Sequence, residues 1–339
     1  MPYINKENAL ILSIESSCDD SSIALTRISD YKILFHQKIS QDINHAKYGG
    51  VVPEIASRLH CVHLPKILQN ISDKFDLARI KAIAVTNEPG LSVSLLEGVM
   101  MAKALSLSLQ IPLIAVNHLQ GHIYSLFLEK EATFPICILL LSGGHSLILE
   151  AKNHNEIKII ASTLDDSFGE AFDKVAKMLS LGYPGGVAVE SNAKLATKKH
   201  INFTIPLRNN TLAFSFSGLK NAVRLKIEEL GDEANVSEIC YAFQKTAISH
   251  ILQKMRIYFS GDSNKIASFG VVGGASANLA LRGELERLAG EFGKKILFAP
   301  LEFCSDNAAM IGRSSVESYK SSDFISLENL TISPKTTRF

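Results

Sequence analysis

Twice in this chain an apolar run of strand length passes through a small polar turn into a second apolar run. ALILSIESSCDDSSIALT begins at Ala9 and CILLLSGGHSLILEA begins at Cys137, each near the start of its half. Two apolar runs that close together read as a β-hairpin, and a turn of Ser, Gly and Asp can present backbone N–H groups to a phosphate or serve simply as a turn. After each hairpin come longer segments of helical period. In the first half these start at Glu54 and span Ser92 to Leu109, with the strand KAIAVT between them. In the second half FGEAFDKVAKMLSL, SGLKNAVRLKIEEL and VSEICYAFQKTAISHILQKM read as helices, and KIASFGVVGG reads as a strand opening onto the helix SANLALRGELERLA. Strands alternating with helices predict an α/β protein. A length of 339 residues suits two domains, and 46% apolar residues suffice for two cores. The boundary falls between about residues 120 and 135, giving a first domain over 1–131 and a second over 132–339, whose last helix can return to the first.

Charge and cysteine content narrow the functional classes. Lys and Arg number 35 against 34 Asp and Glu, a net charge of +1, so nucleic acid would have to be met by a local patch or through a helper protein. Lys194, Lys198, Lys199 and Arg208 are candidates for such a patch, or form a solvated face. The five cysteines are scattered with no C-x-x-C pair, which argues against a disulfide framework or a zinc ribbon and fits a reducing cytoplasm. The start MPYINKENALILSIESS carries Glu7 and Glu15 around a short apolar run and does not read as a signal peptide. The longest apolar runs read as too interrupted to span a bilayer, so no membrane is expected.

VNHLQGHIYS places His118 and His122 four residues apart, on one face if the segment is helical. That spacing suits a metal, and equally a core pair. Leu119 stands where a zinc peptidase would carry its glutamate, so a peptidase reading lacks a base. EFCSDNAAMIG offers Asp306 as a third ligand, or as the cap of a helix starting near Ala308. Two imidazoles and a carboxylate leave open coordination positions for substrate oxygens.

Gly-Gly recurs in LSGGHS, YPGGVA and VVGGASAN, where backbone can approach a ligand, and neither a Walker-type P-loop nor a G-x-G-x-x-G fingerprint is present. Ser276 and Asn278 fall at a helix start, as anion-site neighbours or caps. In SFGEAFDKVAKML, Glu170, Asp173 and Lys174 occupy the opening turns of a helix, where carboxylates complement the dipole or reach ribose hydroxyls. Asp19 and Asp20 are turn formers or site carboxylates, and Cys18 has no basic neighbour in sequence to lower its pKa.

IESSCDDSS, HAKYGGVVPEIASRLH, NEPGLSVSLLEGV, NHLQGH, LLLSGGHS, GEAFDKVAKMLSLGYPGG, FSFSGLK, VVGGASAN and EFCSDNAAMIG resemble, in order and spacing, the motifs of the bacterial TsaD family, the tRNA N6-adenosine threonylcarbamoyltransferases formerly known as glycoproteases. The resemblance runs from about Ile11 to Gly312. It implies a two-lobed fold of the actin-like ATPase, sugar-kinase and chaperone-ATPase superfamily, with ligand and metal in the interlobe cleft. It implies a divalent metal on His118, His122 and Asp306, with Fe(II) favoured and Zn(II) or Mg(II) as alternatives, and an adenine nucleotide, threonylcarbamoyl-AMP as substrate or ATP. Substrate contacts carry over to Leu140, Leu141, Ser142, Gly143, Gly144, Asp173, Gly186 and Asn278, and a role at the reacting centre to Asp19. Implied partners are the tRNA anticodon loop, a TsaB-like paralogous subunit, a TsaE-like ATPase and a TsaC-like synthase that makes the adenylate. The chain departs from the family pattern at Asp20, where Glu is usual, at Glu88 in place of Gly, and in GGVAVE in place of G-G-P. A small-molecule kinase of the same superfamily, a metallopeptidase and a non-catalytic nucleotide-binding scaffold are the other readings of these residues.

Overall fold

The computed structural model describes residues 9–261 and 265–337; the segment before Ala9, with Glu7, lies outside them. In chain order the elements are β1 (Leu10–Glu15), β2 (Ser21–Arg27), β3 (Ile33–Ile39), α1 (Asp42–Ala46), α2 (Pro53–Ser72), β4 (Ile80–Glu88), α3 (Ser92–Leu109), β5 (Leu113–Asn117) and α4 (His118–Tyr124). There follow β6 (Ile136–Leu141), β7 (Ser146–Asn153), β8 (Glu156–Ser162), α5 (Phe168–Met178), α6 (Gly185–Ala193), α7 (Ser217–Leu230), α8 (Val236–Phe259), β9 (Ser268–Val272), α9 (Leu279–Glu291), β10 (Lys295–Phe298) and α10 (Ala308–Lys320). They form two units, one ending at Thr133 and resuming at Ala299, the other spanning Phe134–Phe298.

Each unit holds a five-stranded sheet of the same design. The first has the order β3-β2-β1-β4-β5 and the second β8-β7-β6-β9-β10. In both, the hairpin and the strand beside it pair antiparallel, while the next two strands run parallel to the first. The two sequence hairpins are thus β1–β2 and β6–β7, each opening its own sheet.

In the first unit β1 is buried along its whole length, as a central strand covered on both faces must be. Leu10, Leu12 and Ile14 join Leu64, Ile67 and Ile71 of α2 and Val99 and Ala102 of α3, while Ile11 packs with Met310, Ile311 and Val316 of α10. The apolar run of α3 is long and apolar enough to cross a membrane, contrary to the reading of such runs as too interrupted. Its Leu95, Val99 and Ala102 are nevertheless buried, so one face belongs to the core. In the second unit α5 opens with a capping box between Ser167 and Glu170, and its Phe168, Ala171, Phe172, Val175 and Ala176 are buried at helical spacing.

His250 of α8 is fully buried, and its Nε2 accepts the Ser215 N–H at 3.1 Å. Burial, reinforced by the Lys254 ammonium, pushes its pKa down to about 4. Unfolded imidazole takes its proton near pH 6.5, so acidification favours the unfolded chain from there down to about 4. Stability is therefore expected to fall by about 2 kcal/mol more between pH 7 and pH 5 than in a His250→Asn variant, whose side-chain carbonyl can still accept a hydrogen bond. Urea midpoints at the two pH values measure this; equal pH dependence in the two proteins would remove His250 as the cause.

Candidate metal centre and glycine-rich turns

The Asn117 side chain caps α4, accepting the N–H groups of Leu119 at 2.9 Å and Gln120 at 3.3 Å, and so starts the helix at His118. Gly121 allows that helix to lie on α10, since a Cβ there would stand 2.6 Å from Ile311 Cδ1. On the other side, Asn307 caps α10 through the Met310 N–H, which leaves the neighbouring Asp306 carboxylate out of the capping role the sequence also allowed it. The result is a cluster in which ligand atoms of His118, His122 and Asp306 lie within 4.8 Å of one another.

Nε2 of His118 is 3.4 Å from Asp306 Oδ1, and Nε2 of His122 is 3.2 Å from the same oxygen. Both ring nitrogens of His122 are buried without hydrogen-bond geometry to any partner. Such orphaned atoms are costly unless something completes them, and two imidazoles with a carboxylate are a donor set for a divalent transition metal. Behind His118 lies Glu15, fully buried, whose Oε2 is 3.2 Å from His118 Nδ1 and accepts the Thr86 hydroxyl at 2.5 Å. Its Oε1 accepts the Ser17 N–H at 2.6 Å. A carboxylate on Nδ1 keeps a ring proton there, so that His118 would offer Nε2, on the Asp306 side, once the proton on that nitrogen gives way to a metal.

The electrostatics agree with a cation's place. Burial opposes charge on His118, yet Asp306 and Glu15 outweigh it and hold this imidazole well above its ordinary pKa. Burial lowers His122 despite Asp306. Burial raises Asp306, but the two imidazoles overcome it and leave its pKa well below the carboxylate range.

Asp19 and Asp20 sit in the β1–β2 turn of the same unit. Burial, helped by Asp306 and Asp42 and opposed by the Cys18 thiol, raises Asp19. Asp20 pairs with Lys38 at 2.8 Å, and Lys38 also donates to Ser305 Oγ at 2.8 Å. Burial still wins over that pairing and pushes Asp20 up to about 7. The Cys18 thiol is raised well above its usual value by burial and then by Asp19, so it makes a poor nucleophile. Glu88 is buried, accepts the Thr337 hydroxyl at 2.5 Å and lies 3.5 Å from Asn117 Nδ2.

In the second unit β6 ends at Leu141 and turns through Ser142, Gly143 and Gly144. The turn closes by the Ser142 N–H on His145 O at 2.9 Å, and Ser167 at the head of α5 donates to Gly143 O at 2.6 Å. Leu140 and Leu141 are fully buried, so only their backbone can meet a ligand. Space beyond Gly143 and Gly144 is open. Gly273, at the end of the adjacent strand β9, has φ +90° and would place a Cβ 2.3 Å from Leu141 O, so only glycine fits there. Asp173 accepts the Gly185 N–H at 2.7 Å; Gly185 is the crowded member of its pair, whereas Gly186 faces open space. Asn278 caps α9 through Leu281 N–H at 2.9 Å and donates to Gln244 at 2.8 Å, and Glu190 takes the Leu279 N–H at 3.1 Å. The Leu279 and Leu281 N–H groups at the head of α9 are therefore already engaged by protein. Of the basic residues, Lys194 pairs with Glu190 at 3.4 Å and Lys199 stands over the Tyr241 ring at 4.9 Å.

Comparison with known proteins follows the same outline. Residues 32–313 match the family described as TsaD, tRNA N6-adenosine threonylcarbamoyltransferase. A protein of that name from Wolinella succinogenes is 61% identical over 331 residues, which cover 96% of this chain and 99% of the relative. Those from Nitratiruptor sp. and Helicobacter pylori strain J99 are 57% and 59% identical over the same share of this chain and 99% and 98% of their own. Among solved structures, full-length HypF in a phosphate- and nucleotide-bound form superposes with TM-score 0.62 at 14% identity, over 92% of this chain and 46% of HypF. The HypF of T. kodakarensis gives 0.63 at 12% identity, over 96% of this chain and 49% of its own. The chain spans just under half the length of either, and at this identity the likeness concerns the fold alone: an α/β fold of the actin-like ATPase type.

Proposed function

Since the chain belongs to the TsaD family of tRNA N6-adenosine threonylcarbamoyltransferases, we propose that it moves the threonylcarbamoyl group from threonylcarbamoyl-AMP to N6 of the adenosine immediately 3′ of the anticodon, in tRNAs that read codons starting with A, releasing AMP. The observation that supports this most is the convergence of His118, His122 and Asp306, with the ring nitrogens of His122 buried and lacking hydrogen-bond geometry. These three would hold a divalent metal, Fe(II) before Zn(II) or Mg(II). When bound, such an ion supplies Lewis-acid stabilisation of developing negative charge.

The rest falls to the protein's own groups. An exocyclic adenine amine is a weak nucleophile because its lone pair is delocalised into the ring, so positioning carries much of the rate. The Ser142–Gly144 turn, Asp173, Gly186 and Asn278, with the backbone of Leu140 and Leu141, bind the adenylate, and ATP is the other nucleotide they suit. Asp19, made more basic by burial, takes the proton leaving N6. The C–O bond to AMP breaks as the C–N bond to adenine forms. An anticodon-loop base is already single-stranded and turns outward at modest cost, with phosphate contacts supplying affinity. A net charge of +1 is small for that task, which favours work beside a TsaB-like subunit and a TsaE-like ATPase in the cytoplasm, supplied by a TsaC-like synthase.

A single-turnover reaction tests this: purified protein, helper subunits, fresh threonylcarbamoyl-AMP and unmodified tRNA, with digested nucleosides read by mass spectrometry. Threonylcarbamoyladenosine is the expected product. None formed, with helpers proven active on another transferase, would overturn the reading.

A further inference from the structure

Beneath the Asp19 turn runs a line of polar side chains that the chemistry above does not use. His45, Gln41, Ser21 and His60 are each fully buried. The Val52 N–H meets His45 Nδ1 at 3.3 Å, and His45 Nε2 meets Gln41 Oε1 at 3.1 Å. Gln41 Nε2 lies 3.4 Å from Ser21 Oγ, and Ser21 Oγ lies 2.7 Å from His60 Nδ1. His60 Nε2 then meets the Cys18 carbonyl at 2.9 Å.

The proton positions along this line are fixed from both ends. A backbone N–H can only donate, so His45 Nδ1 accepts and its proton sits on Nε2, facing the Gln41 carbonyl. The Gln41 amide is thereby oriented with its NH2 towards two acceptors, Ser21 Oγ and Ala56 O, both at 3.4 Å. From the other end, a backbone carbonyl can only accept, so His60 carries its proton on Nε2 and accepts at Nδ1. The Ser21 hydroxyl must then donate to His60, leaving its lone pairs for Gln41 and for His63 Nδ1 at 3.4 Å. The two assignments meet at Ser21 without a donor facing a donor. Burial holds His60 below its ordinary pKa, in the neutral form the pattern requires.

Buried polar groups cost stability unless fully paired, and an apolar core would fill the same space more cheaply. A satisfied, directional line of five hydrogen bonds specifies position instead. We propose that His45, Gln41, Ser21 and His60 are positioning residues that tie the Cys18 carbonyl, and with it the adjoining Asp19, to the backbone where α2 begins at Pro53. The effect on turnover rests on Asp19 acting in the transfer; the mechanical tie does not.

Three variants separate the bonds from the packing. Ser21→Ala removes one oxygen at the middle of the line. His60→Leu keeps bulk and loses both bonds, whereas His60→Gln offers an amide oxygen to Ser21 and an amide N–H to Cys18. In transfer assays Ser21→Ala and His60→Leu are expected to lower kcat at least about tenfold with KM for threonylcarbamoyl-AMP unchanged, and His60→Gln to recover most of it, since misplacing a reacting group by ~1 Å costs on the order of a hundredfold. Hydrogen exchange of the intact protein supplies a readout independent of turnover. Ser21→Ala should speed exchange of the Val52 amide on one side and of the turn amides around Asp19 on the other, with α5 and α8 unchanged. Wild-type exchange at both ends, or equal behaviour of the Leu and Gln variants, overturns the proposal. Wild-type protein that makes no product while Ser21→Ala still loosens both ends would fault the transferase reading and leave the tie standing.

Discussion

Replacing His118 and His122 together with alanine is expected to abolish metal retention and to lower threonylcarbamoyl transfer by at least about a thousandfold. The size follows from the several kcal/mol of charge stabilisation a metal contributes at a transferring centre, each 1.4 kcal/mol being about tenfold in rate. The double variant also removes the positive partner that offsets Asp306 and Glu15 in the apo protein, so both carboxylates lose the imidazole that lowers their pKa values. Folding is therefore checked by circular dichroism, and His122→Asn run beside it: this single change leaves the His118–Glu15 contact in place and still takes away one ligand. Elemental analysis after purification and metal loading measures the first effect, and nucleoside mass spectrometry the second. Full metal stoichiometry in the double variant would place the ion elsewhere, and unimpaired transfer would remove the cluster from the reaction.

Much of the fold is legible because the two hairpins carry strong local signals. ALILSIE, SIALTRI and ICILLL are apolar runs of strand length, and SFGEAF carries its own capping box. What escaped reading has weak local chemistry. β8, EIKIIAS, alternates with charged residues on its exposed side, β10 is only KILF, and α6 opens on Gly-Gly, which the sequence presents as a turn. β8 is fixed by its hairpin with β7, and β10 by pairing with β9 on the far side of α9. The place of α10 against β1 is set by packing around Ile11.

For the candidate centre, spacing alone brought His118 and His122 to one helix face, because the period of a helix is a property of the chain itself. The approach of Asp306 across more than 180 residues is a tertiary fact; the resemblance supplied it, and the structure adds that Asn307 leaves the carboxylate free of capping. Glu15 and the His45–His60 line carried no signal in isolation. Glu15 looks like the polar end of a strand, and His45 and His60 look like helix residues of ordinary amphipathic segments. Only the positions of their hydrogen-bond partners, Thr86 and Cys18 among them, turn them into components of a site.

Glu15 gives the second large effect. Its two oxygens accept from Ser17 N–H and Thr86 hydroxyl and face His118 Nδ1, all in a fully buried place. Glutamine has the same shape but only one acceptor end. If its oxygen faces His118 and Thr86, its NH2 opposes the Ser17 N–H; if it is turned round, the NH2 opposes His118 Nδ1 and drives the ring proton to Nε2, against the metal. The first arrangement leaves one buried donor facing another, a cost of about 1–3 kcal/mol, and the second keeps its hydrogen bonds at the expense of the Nε2 lone pair a metal needs. Glu15→Gln is therefore expected to weaken metal binding by about ten- to a hundredfold, the usual loss when the partner of a metal-ligating histidine is removed. Competition against a chromophoric chelator measures this on the protein alone, without substrate or helper subunits. A Co(II)-loaded sample adds a spectroscopic check, since a reoriented His118 changes the ligand field while a loosened turn does not. Unchanged affinity together with an unchanged Co(II) spectrum would reduce Glu15 to an anchor for the Ser17 backbone; weaker binding with an altered spectrum would make it the group that aims His118.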